Sequence, residues 1–213
     1  MENRHGLPEQ ASSSNPVNTN KENLMVATTS PHLRRLAAAA LLLAATAAHA
    51  DSDRSLGLYA EGGIAPHGQG DTYSLALGVL VPWAPVEALR NGPWSFHWDL
   101  YASDWNAPLQ TGGRRNYAQI GGIATFRYRF GASSSPWFAE AGLGGTMMHR
   151  VYHTSTHDFS TAFQFTEVLG LGYSFGAQRE HELSLRLQHF SNAGIKEPNP
   201  GENFVRLRYA YRF

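Results

Sequence analysis

The final residues of the chain, 203–213, read NFVRLRYAYRF, and their side chains separate with a period of two. Successive side chains of a β-strand point to opposite faces. One face of this strand is apolar or aromatic: Val205, Leu207, Tyr209, Tyr211 and Phe213. The other face carries Arg206, Arg208 and Arg212. In water the apolar face would pack on a core, whereas in a membrane barrel it meets lipid and the charged face lines the interior. The pattern therefore predicts a strand, but it does not decide whether the strand belongs to a protein in water or to a membrane barrel.

The same pattern recurs along the chain after Asp51, where no segment keeps a helical period. Eight segments are predicted to be strands: about 54–65, 71–82, 94–104, 116–130, 136–149, 159–175, 181–191 and 203–213. The connections between them, such as GASSSP and NAPLQTGGRR, are rich in residues that favour turns. We therefore predict an all-β chain.

Several features favour a membrane barrel over a soluble one. The last strand ends on Phe213, which resembles the terminal aromatic residue of bacterial outer-membrane barrels. Several segments reach the roughly 9–11 residues that cross a bilayer as a tilted strand. The tryptophans lie mostly near predicted strand ends, where interfacial girdles form: Trp83, Trp94, Trp98, Trp105 and Trp137. We predict an eight-stranded antiparallel transmembrane β-barrel of the outer-membrane type, with a soluble lipocalin-like barrel as the alternative.

The N-terminal part has the composition of an export signal. Residues 33–50 read LRRLAAAALLLAATAAHA, with a basic pair, an apolar run and a small-residue cleavage site. The apolar run falls short of the roughly 20 residues that a spanning helix needs. We predict a polar leader at 1–24, which is either disordered or upstream of a true start at Met25, then a signal peptide at 25–50 and a single barrel domain at 51–213.

Composition narrows the classes of function. The 213 residues contain 17 basic and 17 acidic side chains, so no basic surface for nucleic acid is expected. The chain contains no cysteine, which excludes disulfides and thiolate catalysis.

Reactive side chains follow the seventh segment, in the stretch HFSNAGIKEPNPGENF at 189–204. His189 and Ser191 share a face with the leucines of the strand, and a serine becomes nucleophilic when a histidine takes its proton. Glu202 is the candidate third group, which would orient the imidazole. Backbone N–H groups around Asn192 to Gly194 are the candidate oxyanion hole. Spacing alone leaves open that these are ordinary polar residues at a strand end.

This stretch closely resembles the signature of the lipid A 3-O-deacylase family, the PagL-type outer-membrane enzymes. The matching positions are His189, Ser191, Asn192, Gly194, Pro198, Asn199, Gly201 and Glu202. The resemblance implies an eight-stranded barrel that hydrolyses the ester-linked acyl chain at the 3 position of lipid A. It implies a Ser-His-Glu triad with no metal and no cofactor, in which Ser191 is the nucleophile and His189 the base.

The triad acid is assigned to Glu202, although the glutamate of the family pattern falls one position later, on Asn203. A one-residue slip reverses a strand side chain, so the assignment requires a shorter loop or a bulge before the last strand. Asn192, Gly194 and Asn199 are expected to support the oxyanion site and its loop.

The resemblance also sets the surroundings of the enzyme. The implied partner is lipid A, or lipopolysaccharide, in the outer leaflet of a Gram-negative outer membrane. With both termini periplasmic, the seventh strand ends at that leaflet and delivers His189 and Ser191 to it. Family members can dimerise, so a homodimer stays open. The alternative function is a non-enzymatic small barrel with a structural, adhesive or lipid-binding role.

Overall fold

A computed structural model describes residues 52–66, 70–154 and 157–213. Within them the chain forms eight strands: β1 (Gly57–Ala65), β2 (Thr72–Pro82), β3 (Trp94–Pro108), β4 (Arg114–Arg129), β5 (Trp137–Met148), β6 (Phe163–Phe175), β7 (His181–Ser191) and β8 (Glu202–Arg212). A short helix α1 (Glu87–Arg90) and two 3-10 turns, Ser52–Arg54 and Gly131–Ser133, lie in the connections. The leader and signal peptide predicted at 1–24 and 25–50 lie outside the described residues.

The strands form one closed barrel in which each pairs with its neighbour in the sequence. Closure is made by β1 and β8, which pair antiparallel from Gly57 with Arg212 to Ile64 with Val205. The predicted eight-stranded antiparallel barrel is confirmed. The connections after β1, β3, β5 and β7 lie at one end, called here the loop end, and the other connections lie at the turn end. Within the described residues no helix is long and apolar enough to cross a membrane.

Most predicted strand limits are close to the observed ones, and the end of β3 and the start of β6 differ most. β3 ends at Pro108 instead of residue 104, and the predicted start of β6 at residue 159 is replaced by Phe163. The segment before Phe163 does not continue the strand, because Tyr152 and Phe159 pack into the interior at the loop end of the barrel, where both are buried. Apolar residues before β6 therefore fill the interior instead of extending the strand.

The outward face of the barrel is apolar. Large aliphatic side chains of the strands are 45% to 67% exposed: Leu75, Leu77, Leu100, Ile120, Leu143, Leu169, Leu171, Leu185, Leu187 and Leu207. Their side chains alternate with buried polar ones, as in β8, where Leu207 is exposed between the buried Arg206 and Arg208. This polarity is the reverse of that of a water-soluble barrel and suits a lipid environment.

Ion pairs fill the middle of the barrel. The Glu61 carboxylate accepts hydrogen bonds from Arg206 Nη1 at 2.7 Å and from Arg208 Nε at 2.9 Å. Arg208 also donates to Asp99 Oδ2 at 2.8 Å, and Tyr59 donates to Asp99 Oδ1 at 2.6 Å. These buried charges come from β1, β3 and β8, so they connect separate strands through the interior of the barrel.

Packed aromatic rings close the interior at the loop end. This aromatic plug consists of Trp105, Tyr117, Tyr152, Phe159, Phe190 and Phe204. Trp105 is fully buried, so the prediction that it belongs to an interfacial girdle is wrong. Its strand position places it on the same face as Asp99, which points inward. The other four tryptophans are exposed: Trp83, Trp94, Trp98 and Trp137.

Candidate active site

His189 and Ser191 lie at the loop end of β7 and share the outward face of the wall. The burial of β7 alternates along the strand, with Leu187 exposed, Gln188 and Phe190 buried, and His189 and Ser191 half-buried. Both side chains therefore lie on the apolar side of the strand, as the period of two predicts. The predicted nucleophile and base therefore share the outside of the barrel, beside the leucines.

The imidazole of His189 is held by the neighbouring strand. His189 pairs with Asn203 in the β7–β8 ladder, and His189 Nδ1 lies 2.8 Å from Asn203 Oδ1. When the amide oxygen accepts this hydrogen bond, the ring proton is on Nδ1 and the lone pair of Nε2 is free to accept a proton. Asn203 thus selects the tautomer in which His189 can act as a base.

Glu202 does not reach His189, so the predicted contact between them is corrected. β8 enters the ladder without the bulge or shorter loop that the contact requires, and Glu202 pairs with Phe190 instead. Its side chain points inward and is 2% exposed. Tyr152 Oη donates to Glu202 Oε2 at 2.9 Å, and burial raises the pKa of Tyr152 well above its ordinary value. Glu202 therefore belongs to the interior, at the level of the aromatic plug.

Ser191 is half-buried at the last position of β7 and pairs with Phe165 of β6. Within the described residues its hydroxyl makes no hydrogen bond, to His189 or to any other group. Side chains two apart on a strand have Cβ atoms about 6–7 Å apart, so rotation of the side chains must close the distance. Catalytic hydrogen bonds are often long in unliganded enzymes and tighten when substrate binds.

The loop after Ser191 is held by its own polar groups. Asn192 N donates to Asn199 Oδ1 at 3.0 Å, and Gly194 N donates to Asn192 Oδ1 at 3.0 Å. Asn192 Nδ2 donates to Ser160 Oγ and to Lys196 O, which ties the loop to the β5–β6 connection. The predicted supporting role of Asn192, Gly194 and Asn199 in this loop therefore has a geometric basis.

Those hydrogen bonds change the predicted oxyanion hole. The N–H groups of Asn192 and Gly194 are both occupied within the loop. The N–H of Ala193, between them, has no acceptor among the described residues. Ala193 has a φ of 54°, in the left-handed region that L-residues rarely adopt. Of the three amides predicted to form the oxyanion hole, that of Ala193 is therefore the one without an acceptor among the described residues.

Gly201 closes the loop against His189. Its φ is 71°, and a Cβ added there would lie 2.7 Å from His189 Cε1 and 3.3 Å from Nε2. No real Cβ fits at such a distance without displacement of the ring. A glycine is thus required both for the turn and for the close approach of the loop to the base.

A shallow groove of about 320 Å³ runs along the wall beside His189. Its lining residues come from β6, β7, β8 and the β1–β2 connection: Pro66, Glu167, Val168, Leu169, Leu187, Gln188, His189, Asn203, Phe204 and Val205. Leu169, Leu187 and Val205 form its exposed apolar part. The polar outward side chains are Glu167, His189 and Asn203, and they lie at the end of the groove nearest the loop. The arrangement can hold a hydrocarbon chain with a polar linkage beside the base.

Glu167 is a functional candidate that the sequence analysis missed. It is exposed on β6 and pairs directly with His189 in the β6–β7 ladder. The signal was present in the sequence, because Phe165, Glu167 and Leu169 share one face of a strand. A carboxylate among apolar outward residues is the same anomaly that singles out His189.

Comparisons with known proteins point to one family. The family described as Lipid A 3-O-deacylase (PagL) matches residues 71–212. Lipid A deacylase PagL of Bordetella bronchiseptica is 39% identical over 95 residues, which cover 45% of this chain and 50% of the relative. Lipid A deacylase PagL of Pseudomonas aeruginosa is 26% identical over 113 residues, which cover 53% of this chain and 62% of the relative. The chain thus spans about half to three fifths of the length of these relatives.

The fold has a counterpart among solved structures. The crystal structure of the outer membrane enzyme PagL superposes with a TM-score of 0.56 at 24% identity. The superposition covers 73% of this chain and 99% of the solved one. At that identity the similarity concerns the barrel architecture.

Proposed function

The chain belongs to the lipid A 3-O-deacylase (PagL) family, and from that membership we propose that it is an outer-membrane serine esterase acting on lipid A. It removes the acyl chain that is ester-linked at the 3 position and releases a 3-hydroxy fatty acid. Ser191 is the nucleophile and His189 the general base. The observation that carries the proposal is the outward position of both residues at the loop end of β7, where His189 lines the polar end of an apolar groove.

The apolar outer surface of the barrel favours a substrate that lies in the membrane. Exposed leucines surround the barrel, and strands of 9 to 16 residues are long enough to cross a bilayer when tilted. A lipid that lies against this wall needs no internal pocket. We place the site at the outer leaflet, where lipopolysaccharide supplies the acyl ester at headgroup depth.

The groove supports an acyl chain beside the nucleophile. Leu169 and Leu187 pair across the β6–β7 ladder and are both more than half exposed. A chain lying over them points its ester linkage toward His189 and Ser191, which follow Leu187 along the same face of β7. The apolar part of the groove binds the acyl chain, and the polar residues His189 and Ser191 carry out the hydrolysis of the ester.

The proposed mechanism is acyl transfer through a covalent intermediate. His189 Nε2 takes the hydroxyl proton of Ser191 as Ser191 Oγ attacks the ester carbonyl, while Asn203 holds Nδ1. The N–H of Ala193 donates to the oxyanion that forms. Collapse of the intermediate breaks the ester C–O bond, and His189 returns the proton to the departing sugar oxygen. Water then attacks the acyl-serine by the same route and releases the fatty acid.

Substitution of the nucleophile and the base tests the proposal. Ser191→Ala and His189→Asn should each lower the rate of lipid A deacylation by about 10³-fold or more, measured by mass spectrometry of lipid A. Ser184→Ala is the matched control, because Ser184 lies on the same strand and is buried on the opposite face. Unchanged deacylation by either active-site variant would overturn the assignment.

We also propose that residues 25–50 are removed on export and that the mature barrel begins at Asp51. N-terminal sequencing of the protein extracted from outer membranes tests this. A mature N-terminus at a residue other than Asp51 would contradict the predicted cleavage site.

A further inference from the structure

Glu167 faces the same groove as the catalytic base. It stands opposite His189 in the β6–β7 ladder, and both line the groove. Directly opposed residues of an antiparallel pair have Cβ atoms about 4.5–5.5 Å apart. The carboxylate of Glu167 is therefore within reach of the imidazole without any change of backbone.

The surroundings of Glu167 do not otherwise favour a charge. Its outward neighbours along β6 are Phe165 and Leu169, and its partner on β5 is Leu143, which is 59% exposed. A carboxylate on the lipid face of a barrel costs free energy, and such residues are usually retained for function. Among the outward groups that adjoin Glu167 on β5, β6 and β7, His189 is the one that can become cationic.

The contacts of His189 leave a role for a nearby charge. Its Nδ1 is hydrogen-bonded to Asn203, and within the described residues no carboxylate lies within hydrogen-bond distance of the ring. An amide orients an imidazole but carries no charge to offset the imidazolium that forms when Ser191 is deprotonated. The site lies at the edge of an apolar wall, where water screens charges less and an opposite charge has a larger effect.

We propose that Glu167 is a positioning residue of this active site, whose carboxylate stabilises the imidazolium form of His189 across the β6–β7 ladder. In this arrangement Asn203 and Glu167 share the role of a triad acid: Asn203 fixes the ring and Glu167 supplies the negative charge. The inference rests on the proposed esterase function, because it assigns a charge to a proton transfer from Ser191.

Steady-state kinetics on lipopolysaccharide in detergent micelles test the inference. Glu167→Gln should lower kcat by about 10-fold to 100-fold, as expected for the loss of one close opposite charge, and leave KM within about twofold. Glu167→Asp should restore part of the loss. Glu87→Gln is the matched control, because it is the same chemical change at an exposed position on α1.

A second variant separates charge from structure. Asn203→Asp in the Glu167→Gln background returns a carboxylate to His189 from the other strand, and kcat should recover by about tenfold. If Glu167→Gln retains wild-type kcat while Ser191→Ala is inactive, the inference is overturned and the proposed function stands. Loss of activity in Glu167→Gln without recovery in the double variant also overturns the inference. Wild-type protein that leaves lipid A intact overturns both.

Discussion

His189 Nδ1 and Asn203 Oδ1 lie 2.8 Å apart across the β7–β8 ladder. A neutral amide therefore holds the proposed base in this chain. Asparagine can fulfil this part of a triad, because cysteine proteases use a Cys-His-Asn arrangement. Because this amide is neutral, the orientation of the His189 ring can be separated from the stabilisation of a positive charge on it.

The first prediction concerns Asn203. Asn203→Ala should lower kcat by about 10²-fold, because the ring loses the acceptor that fixes its tautomer. Asn203→Asp should retain the wild-type kcat or exceed it, because the acceptor is kept and a charge is added. Initial rates of fatty-acid release check both variants. A fully active Asn203→Ala would contradict the positioning role.

Gly201 supports the second prediction. An alanine Cβ there would lie 2.7 Å from His189 Cε1, so Gly201→Ala should displace the ring and lower kcat by roughly tenfold or more. The matched control is Gly113→Ala, which has a similar positive φ of 78° and nothing within 4 Å of the added Cβ.

Both alanine variants should lose about 1 kcal/mol of unfolding free energy to backbone strain, since neither glycine has a φ that alanine favours. Only Gly201→Ala should lose activity. Equal activity losses in the two variants would mean that strain alone accounts for the effect.

The sequence predicts the outward position of His189 and of the proposed nucleophile, Ser191, because the alternation of side chains along one strand does not depend on the neighbouring strands. His189 and Ser191 follow Leu187 on one face, and that relation holds wherever β7 sits in the barrel. The count of strands follows in the same way from alternation and turn residues. The inward position of Trp105 could also be predicted from the sequence, because Trp105 shares a face with Asp99 on β3.

The partners of His189 depend on register, which one strand alone does not fix. Glu202 and Asn203 are adjacent, and a slip of one residue decides which of them faces outward. The loop before β8 and its hydrogen bonds set that choice. Glu167 stands opposite His189 because of the β6–β7 register, which depends on the geometry of the turn at 176–180.

The third prediction separates Glu202 from catalysis. Because Glu202 is buried and bonded to Tyr152, Glu202→Gln should keep kcat within about threefold of wild type. Its unfolding free energy should fall by about 1 kcal/mol, because the hydrogen bond from Tyr152 then reaches a neutral acceptor. Deacylation assays and urea unfolding in lipid vesicles measure the two effects. A 10³-fold loss of kcat with the fold intact would restore Glu202 as the triad acid.

The fourth prediction concerns the groove. Leu187→Trp should fill part of its 320 Å³ and raise KM roughly tenfold, since an acyl chain loses contact area there. Leu100→Trp is the control, because Leu100 is exposed on β3, outside that groove. Kinetics on lipid A with acyl chains of different length should show a smaller defect for shorter chains. Equal KM changes in the two variants would contradict a role of the groove in binding.

The fifth prediction concerns pH and the turn end of the barrel, where Asp53 lies between two arginines. Burial opposes ionisation of Asp53, but its hydrogen bonds and ion pairs with Arg129 and Arg127 outweigh burial and hold its pKa well below the usual range. A depressed pKa contributes stability above the unfolded pKa of about 4, and that stability is lost as the pH falls toward the folded value.

Asp53→Asn should therefore reduce the unfolding free energy by about 3 kcal/mol at pH 7, because it leaves two buried guanidinium groups short of a carboxylate. The difference from wild type should shrink below about pH 4, where the wild-type protein itself loses the contribution. Urea unfolding in vesicles at several pH values measures the difference in unfolding free energy. Asp158→Asn is the control, because Asp158 lies at an exposed loop position, and it should change the unfolding free energy by less than about 1 kcal/mol. A difference between Asp53→Asn and wild type that stays constant down to pH 2 would show that the Asp53 charge does not carry the effect.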